Sequence, residues 1–244
     1  MEVAHALARE GAPEGALVWA ARQERGRGRL GRTWTSPEGG AYFSLILHPR
    51  RPAAETPQLS LVAGLSVAEA IRELTGLFVS IRWPNDVLIN GLKVSGILIE
   101  AKEGAVIVGI GLNVTNDPRE LPEGATSLVV ALVAEPAGNA SRRRPERDPA
   151  GASREMPPDP YRLTGASCRR FGAWYEVWTK QGFAPIREAL RPWIGLFGHP
   201  VHISAGSSRF EGTASDLDEG GRLLVRLDSG IMRAFEMGEV ALLR

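Results

Sequence analysis

The sequence is almost without cysteine. Cys168 stands alone among 244 residues, so no internal disulfide can form and no cysteine-based zinc site can be assembled. Histidine is scarce as well. His5, His48, His199 and His202 are the full set, and none falls in the H-E-x-x-H spacing of a zinc hydrolase. His199 and His202 lie in His-Pro-Val-His, which suits the start of a strand better than a ligand pair. No apolar run approaches the ~18 residues of a membrane span, and the N-terminus carries no apolar signal region. An excess of charge is also missing. The 29 basic residues are offset by 28 acidic ones, a formal net charge of +1. That balance argues against a dedicated nucleic-acid surface while leaving room for a local basic patch. Together these absences predict a soluble protein of a reducing, cytoplasmic compartment. Asn113-Val-Thr115 and Asn139-Ala-Ser141 fit the glycosylation pattern, but without a secretory signal the match is empty.

What is present is enough apolar material for a core. Hydrophobic residues make up 43% of the chain, and its length suits one large domain plus a small one. Met1 to Glu10 reads as an uncapped helix already under way, stopped by Gly11-Ala12-Pro13. Ala16 to Ala21 and Ala41 to Leu47 read as strands. Gln58 to Thr75 is the clearest helix, with Leu61, Leu65, Ala68 and Ile71 at helical spacing and Gly76 as its stop. Phe78 to Trp83, Val87 to Ile89, Lys93 to Ala101 and Ala105 to Val114 follow as strands, the middle pair joined by the hairpin signal Asn90-Gly91. Residues 134–160 hold Ser141-Arg142-Arg143-Arg144-Pro145-Glu146-Arg147-Asp148-Pro149 and more prolines, the composition of a flexible insertion. Arg162 to Lys180 is a second amphipathic helix with an aromatic stripe of Phe171, Trp174, Tyr175 and Trp178, and a short helix from Ala184 to Leu190 follows. From about Gly198 only short strands remain, five in under 50 residues, which suggests a small barrel of the SH3 type.

One stretch fits no regular element. Gly26-Arg27-Gly28-Arg29-Leu30-Gly31-Arg32 packs three glycines and three arginines into seven residues. Glycine there costs backbone entropy and supplies nothing to pack, but it lets backbone N–H groups approach a ligand. Arginine adds forks of donors suited to phosphate or carboxylate. The simplest reading is a mobile anion-binding loop, with a merely solvated basic loop as its rival. Gly26, Gly28 and Gly31 also match G-x-G-x-x-G, but the helix that a dinucleotide site requires is replaced by Thr33-Trp34-Thr35-Ser36-Pro37, which is turn chemistry. A second cluster is Arg82-Trp83-Pro84-Asn85-Asp86, which the hairpin brings near Lys93. Taken singly, Asp86 reads as a turn cap and Lys93 as an exposed strand end. Gly109-Ile110-Gly111-Leu112-Asn113 adds a strand interrupted by glycines, which marks a bulge or a close-lying ligand. Combined, a glycine–arginine loop, a lysine, an acid and a glycine-lined strand are the parts needed to join a carboxylate to a nucleotide phosphate. The cations neutralise the reacting anions, the acid can hold Mg²⁺, and bare strand backbone lets a flat base lie close.

Four runs in order, namely Gly26 to Trp34, Trp83-Pro84-Asn85-Asp86, Lys93-Val94-Ser95-Gly96-Ile97-Leu98-Ile99-Glu100 and Gly109 to Asn113, resemble the successive motifs of biotin–protein ligases. The closing Gly238 to Arg244 resembles that family's ending. The resemblance covers nearly all of the chain outside the insertion. It implies an α+β fold: a class II aminoacyl-tRNA-synthetase-like mixed sheet with helices over 1–196, holding the biotin/ATP site, and a small SH3-like β-barrel over 197–244. It implies a two-step reaction with biotin and MgATP as substrates, giving biotinyl-5′-AMP and then biotin on a lysine of a biotin carboxyl carrier protein. By resemblance Arg27, Gly28 and Arg29 belong to a loop closing over biotin and adenylate, with Arg29 retaining the intermediate. Gln23 hydrogen-bonds biotin. Lys93 sits by the carboxylate and the attacked phosphate. Asp86 is the metal-side acid, and Arg82 faces the ATP phosphates where the family commonly has lysine. Asn85 joins the ATP side, Trp34 and Asn113 border the adenosine, and Gly96, Gly109 and Gly111 shape the floor. A Ser-Thr-Asn segment usual before the first helix has no counterpart ahead of Met1, so biotin is expected to be bound differently or the start to be internal. No DNA-reading domain precedes the catalytic part, so no DNA and no membrane partner is expected. The resemblance allows a homodimer. Two rivals stay open: a lipoate-type carboxylate ligase of related fold, and a non-catalytic nucleic-acid-binding protein.

Overall fold

A computed structural model describes residues 1–134, 159–206, 208–236 and 238–243. The insertion expected at 134–160 falls almost wholly outside them. Helix α1 (Glu2–Arg9) and strands β1 (Leu17–Ala20) and β2 (Gly40–Leu47) open the chain, followed by α2 (Gln58–Thr75). Strands β3 (Ser80–Arg82), β4 (Asp86–Ile89), β5 (Leu92–Lys102) and β6 (Ala105–Asn113) come next. Helices α3 (Leu128–Ala134), α4 (Pro160–Gln181) and α5 (Ala184–Leu190) precede the last strands. These are β7 (Pro200–Ala205), β8 (Ser208–Leu217), β9 (Leu223–Leu227), β10 (Met232–Phe235) and β11 (Glu239–Leu242).

Strands β1 to β6 form one six-stranded sheet in the order β1-β2-β6-β5-β4-β3. Its ladders are antiparallel, so the expected mixed character survives only in an isolated parallel bridge between Lys93 and Ala125. Consecutive side chains of a strand point to opposite faces. Phe43 and Leu45 on β2, with Val108, Ile110 and Leu112 on β6, therefore share one face, all buried. Helices α2 and α4 pack on each other and cover that face. Helix α2 is apolar nearly all round because it is buried on both sides, and it ends in a left-handed Gly76 whose N–H closes onto the Arg72 carbonyl. On the opposite face, α1 docks through a small cluster of Ala4, Ile46 and Ile107. Helix α3 has no counterpart in the pattern reading. Its Leu-Val-Val-Ala-Leu-Val-Ala run is apolar at every position and β-branched at three, so no helical stripe shows.

The five-stranded sheet β10-β9-β8-β7-β11 is antiparallel throughout, with a register shift between Ala214 and Asp216. Val201, Ile203, Ala214, Leu217, Leu223, Val225 and Phe235 fill its inner face. Its β8–β9 turn docks beside α2. The Trp83 indole N–H donates to the Gly221 carbonyl at 3.0 Å, and Gly221 packs on Leu61 and Phe183.

Candidate active site

A cavity of about 330 Å³ opens on the sheet face away from α2 and α4. Its floor is bare by construction. Gly96 of β5 lies directly opposite Gly111 of β6, and Gly109 follows two residues away on the same face. A side chain at any of the three would collide. A Cβ on Gly111 would fall 2.5 Å from the Trp34 ring, one on Gly96 2.8 Å from the same ring, and one on Gly109 2.8 Å from the Met1 sulfur. The sequence pattern gave this bare backbone to a flat base. In the structure the flat group resting on it is the indole of Trp34.

The Gly26 to Arg32 stretch forms the rim. It is not an open loop: Gly28 N–H donates to the Arg32 carbonyl at 2.7 Å and Trp34 N–H to the Gly26 carbonyl at 2.9 Å, closing a tight hairpin. The tip carries Leu30 at φ 56°, a left-handed conformation that costs an L-residue about 1 kcal/mol or more. Gly26 is irreplaceable for a steric reason, since its Cβ would lie 2.2 Å from the Trp34 carbonyl oxygen. Ser36 fixes the hairpin's base by donating to the Gln23 side-chain oxygen at 2.8 Å.

The cations converge from both sides. From the rim, the Arg29 guanidinium donates to the Asn85 side-chain oxygen at 2.8 Å, and Asn85 in turn donates to the Ile97 carbonyl at 3.1 Å. Burial lowers the Arg29 pKa, with Asp86 acting in the opposite sense and holding the charge in place. From the floor, the Lys93 ammonium lies 2.6 Å from Asp86 and 5.2 Å from the centre of the Trp34 ring. Backbone bonds fix the start of β5: Lys93 N–H donates to the Gly124 carbonyl and its carbonyl accepts from Thr126.

Of the residues singled out from the sequence, Gln23, Arg27, Gly28, Arg29, Trp34, Asn85, Lys93, Gly96, Gly109 and Gly111 all line this cavity. Three do not. Asn113 is 2% exposed and spends its side-chain amide on the Thr126 carbonyl at 3.0 Å, bracing the segment that supports Lys93. It serves here as a buried strut, and its side-chain oxygen has no hydrogen-bond partner. Arg82 turns to Asp86 at 2.8 Å instead of facing the cavity. Asp86 thus carries Arg82 on one oxygen and Lys93 on the other. Among the described residues no group of three His, Cys, Asp or Glu could by itself hold an ion, so any Mg²⁺ here would take most of its ligands from the ATP phosphates and water. In this arrangement Asp86 serves the two cations.

Pattern reading also left some residues without a role. Tyr42 donates to the Pro37 carbonyl, and the Asn116 amide donates to the carbonyls of Pro37 and Glu38 and to the Tyr42 oxygen. This knot ties the segment after Trp34 to the sheet. Burial pushes the Tyr42 hydroxyl up to about 12. A lone asparagine or tyrosine in an unremarkable stretch carries no signal that could have shown it.

Comparison with known proteins agrees with the geometry. Residues 5–117 match the biotin/lipoate A/B protein ligase family, and residues 196–243 match the biotin protein ligase C terminal domain. The bifunctional ligase/repressor BirA of Bacillus subtilis is 36% identical over 240 residues, covering 96% of this chain and 68% of that protein. The biotin–[acetyl-CoA-carboxylase] ligase of Paracoccus denitrificans is 34% identical over 224 residues, covering 88% and 85%. Among solved structures, a biotin protein ligase from Aquifex aeolicus in complex with biotin and ATP aligns with a TM-score of 0.80 at 30% identity, over 98% of this chain and 94% of that one.

Proposed function

The chain belongs to the biotin protein ligases of the biotin/lipoate A/B family, and on that premise we propose how its cavity divides the work. The reaction is the ATP-dependent joining of biotin to a protein lysine. A biotin carboxylate oxygen attacks the α-phosphorus of ATP, the bond to the bridging oxygen breaks, and pyrophosphate leaves with biotinyl-5′-AMP formed. The amine of the acceptor lysine then attacks the acyl carbon. The acyl–phosphate bond breaks, AMP departs, and the lysine loses a proton as the amide forms.

The observation that carries this reading is the meeting of Arg29, Asn85, Lys93 and Trp34 over a floor of three glycines. Both steps pass through anionic phosphorus or acyl oxygens, and fixed cations in a partly closed site stabilise such charge without reorganising. Lys93 suits the reacting phosphate because Asp86 and the Trp34 ring hold its ammonium at one point. Arg29 suits retention of the adenylate because Asn85 fixes it at the rim. Gln23, with its oxygen satisfied by Ser36, keeps its amide N–H groups for the biotin ring. Arg27 and Gly28 complete the rim, and Gly96, Gly109 and Gly111 make room for the ligand. Arg82 acts through Asp86. No step is routed through a protein-bound metal.

The acceptor we propose is a biotin carboxyl carrier protein. We propose no nucleic-acid partner, since 29 basic residues are matched by 28 acidic ones. Among the described residues no helix is long and apolar enough to cross a membrane, and the lone Cys168 suits the cytoplasm. Residues 1–196 are proposed as the catalytic unit and 197–244 as a small domain bracing it through the Trp83–Gly221 bond. A homodimer completes the proposal and is checked by sedimentation. The decisive test is incubation with biotin and MgATP. Biotinyl-AMP and pyrophosphate are expected by mass detection, followed by one added biotin on the carrier. A preference for lipoate in direct competition would overturn the substrate assignment.

A further inference from the structure

Glu100 ends the Lys93 to Glu100 strand run yet does not line the cavity. Its Oε2 accepts two side chains from opposite directions. One is the Arg27 guanidinium of the rim at 3.0 Å, and the other is the His5 ring nitrogen Nε2 of α1 at 2.8 Å. The carboxylate and the imidazole are largely shielded, whereas Arg27 is 42% exposed in its side chain. Glu100 sits on β5, which is held in register with β6 through Ile107, the residue on which α1 packs. One rigid strand position therefore ties two separate cavity walls together: the glycine–arginine hairpin, and helix α1, whose first residues Glu2 and Val3, with Met1 just before them, also border the cavity.

We propose that Glu100 is a positioning residue for the ligase reaction: braced by His5, it holds the Arg27 guanidinium and with it the rim hairpin against the cavity. Its proposed effect on the adenylate rests on the biotin-ligase reading given above. A guanidinium has five donors in a planar fork. Arg27 gives one nitrogen to Glu100, which restrains the guanidinium at the cavity it lines and leaves its other donors uncommitted to Glu100. A charge-assisted hydrogen bond of this kind exceeds a neutral one, and partial exposure reduces it. Glu100 touches no reacting atom, so its loss acts on retention of the adenylate rather than on the rate of its formation.

The test uses the full chain, with Glu100→Ala, Glu100→Gln, Arg27→Ala and the Glu100→Ala/Arg27→Ala pair. Release of biotinyl-AMP from the preloaded protein is expected to quicken about fivefold to tenfold in Glu100→Ala, with a smaller rise in Glu100→Gln, which keeps the acceptor oxygen. Pyrophosphate release at saturating substrates is expected to stay within about twofold. In the Arg27→Ala background the Glu100→Ala change is expected to add nothing, because its route to the site is gone. Wild-type release in Glu100→Ala, or effects of the two changes that multiply, overturns the proposal. A second readout needs no substrate. Amide exchange at Gly28 and Trp34 is expected to speed up in Glu100→Ala, and unchanged exchange overturns the proposal even if the wild-type chain makes no biotinyl-AMP. That last result would refute the ligase reading itself.

Discussion

The six-stranded sheet has two faces made by alternate residues of the same strands, and they do opposite jobs. Toward α2 and α4, β2 and β6 present Phe43, Leu45, Val108, Ile110 and Leu112, all closely packed. Toward the cavity the intervening positions are Tyr42, Ser44, Gly109 and Gly111. One residue of register separates a core from a reaction surface, because the side-chain period of a strand is two. The packed face stores stability. The bare face gives up apolar contact so that an indole and three cations can stand over backbone. Substitutions should therefore separate cleanly into those that unfold and those that merely silence.

The largest effect expected is that of Lys93→Ala. A unit charge ~4 Å from a developing anion is worth about 4 kcal/mol at an effective dielectric of ~20. Adenylate formation should fall roughly a thousandfold with little change in Tm; full turnover would remove Lys93 from the mechanism. On the other face Leu112→Ala should cost about 2–5 kcal/mol of stability, read as a lower denaturant midpoint, while the protein that remains folded keeps its turnover. A selective loss of turnover there would blur the two-face division. Arg29→Gly should leave adenylate formation in place but let biotinyl-AMP escape about tenfold faster, given about 1.5–3 kcal/mol for a charged hydrogen bond. Labelling of bystander lysines reports it, and unchanged target selectivity counts against the rim. Gly111→Ala drives a methyl into the Trp34 ring and should reduce activity severalfold with a near-normal melting curve. The smallest effect concerns pH. The folded chain keeps the Tyr42 proton up to about 12, whereas the unfolded chain releases it near 10. Across that window the native state binds the extra proton, so stability falls as pH rises. Tyr42→Phe should flatten part of that alkaline decline. Tyr175, also raised by burial, accounts for some of the remainder.

Much of this could be read from residue order. The stripe of Leu61, Leu65, Ala68 and Ile71 gave α2 its limits, and Asn90-Gly91 gave the β4–β5 hairpin. Arg27, Arg29, Lys93 and the three floor glycines stood out because neither core nor solvent explains those types at those places. What stayed hidden depends on partners far along the chain. Asn113 looked like a site residue because it follows Gly109 and Gly111, and it does share their face of the strand, but at the end of β6 it is buried and the Thr126 carbonyl takes its amide N–H. Asp86 read as a metal-side acid, and order along the chain did not show that Arg82 and Lys93 would engage its two oxygens. Glu100 and His5, 95 residues apart, gave no hint of each other.

The sequence by itself determined the local elements and the chemical inventory of the cavity, since periodicity, turn residues and unusual glycine–arginine content are properties of neighbours in the chain. Only the tertiary structure decided which charges are spent on one another. Pairing depends on distances between strands and loops brought together by burial of the opposite face, and no local pattern records those distances.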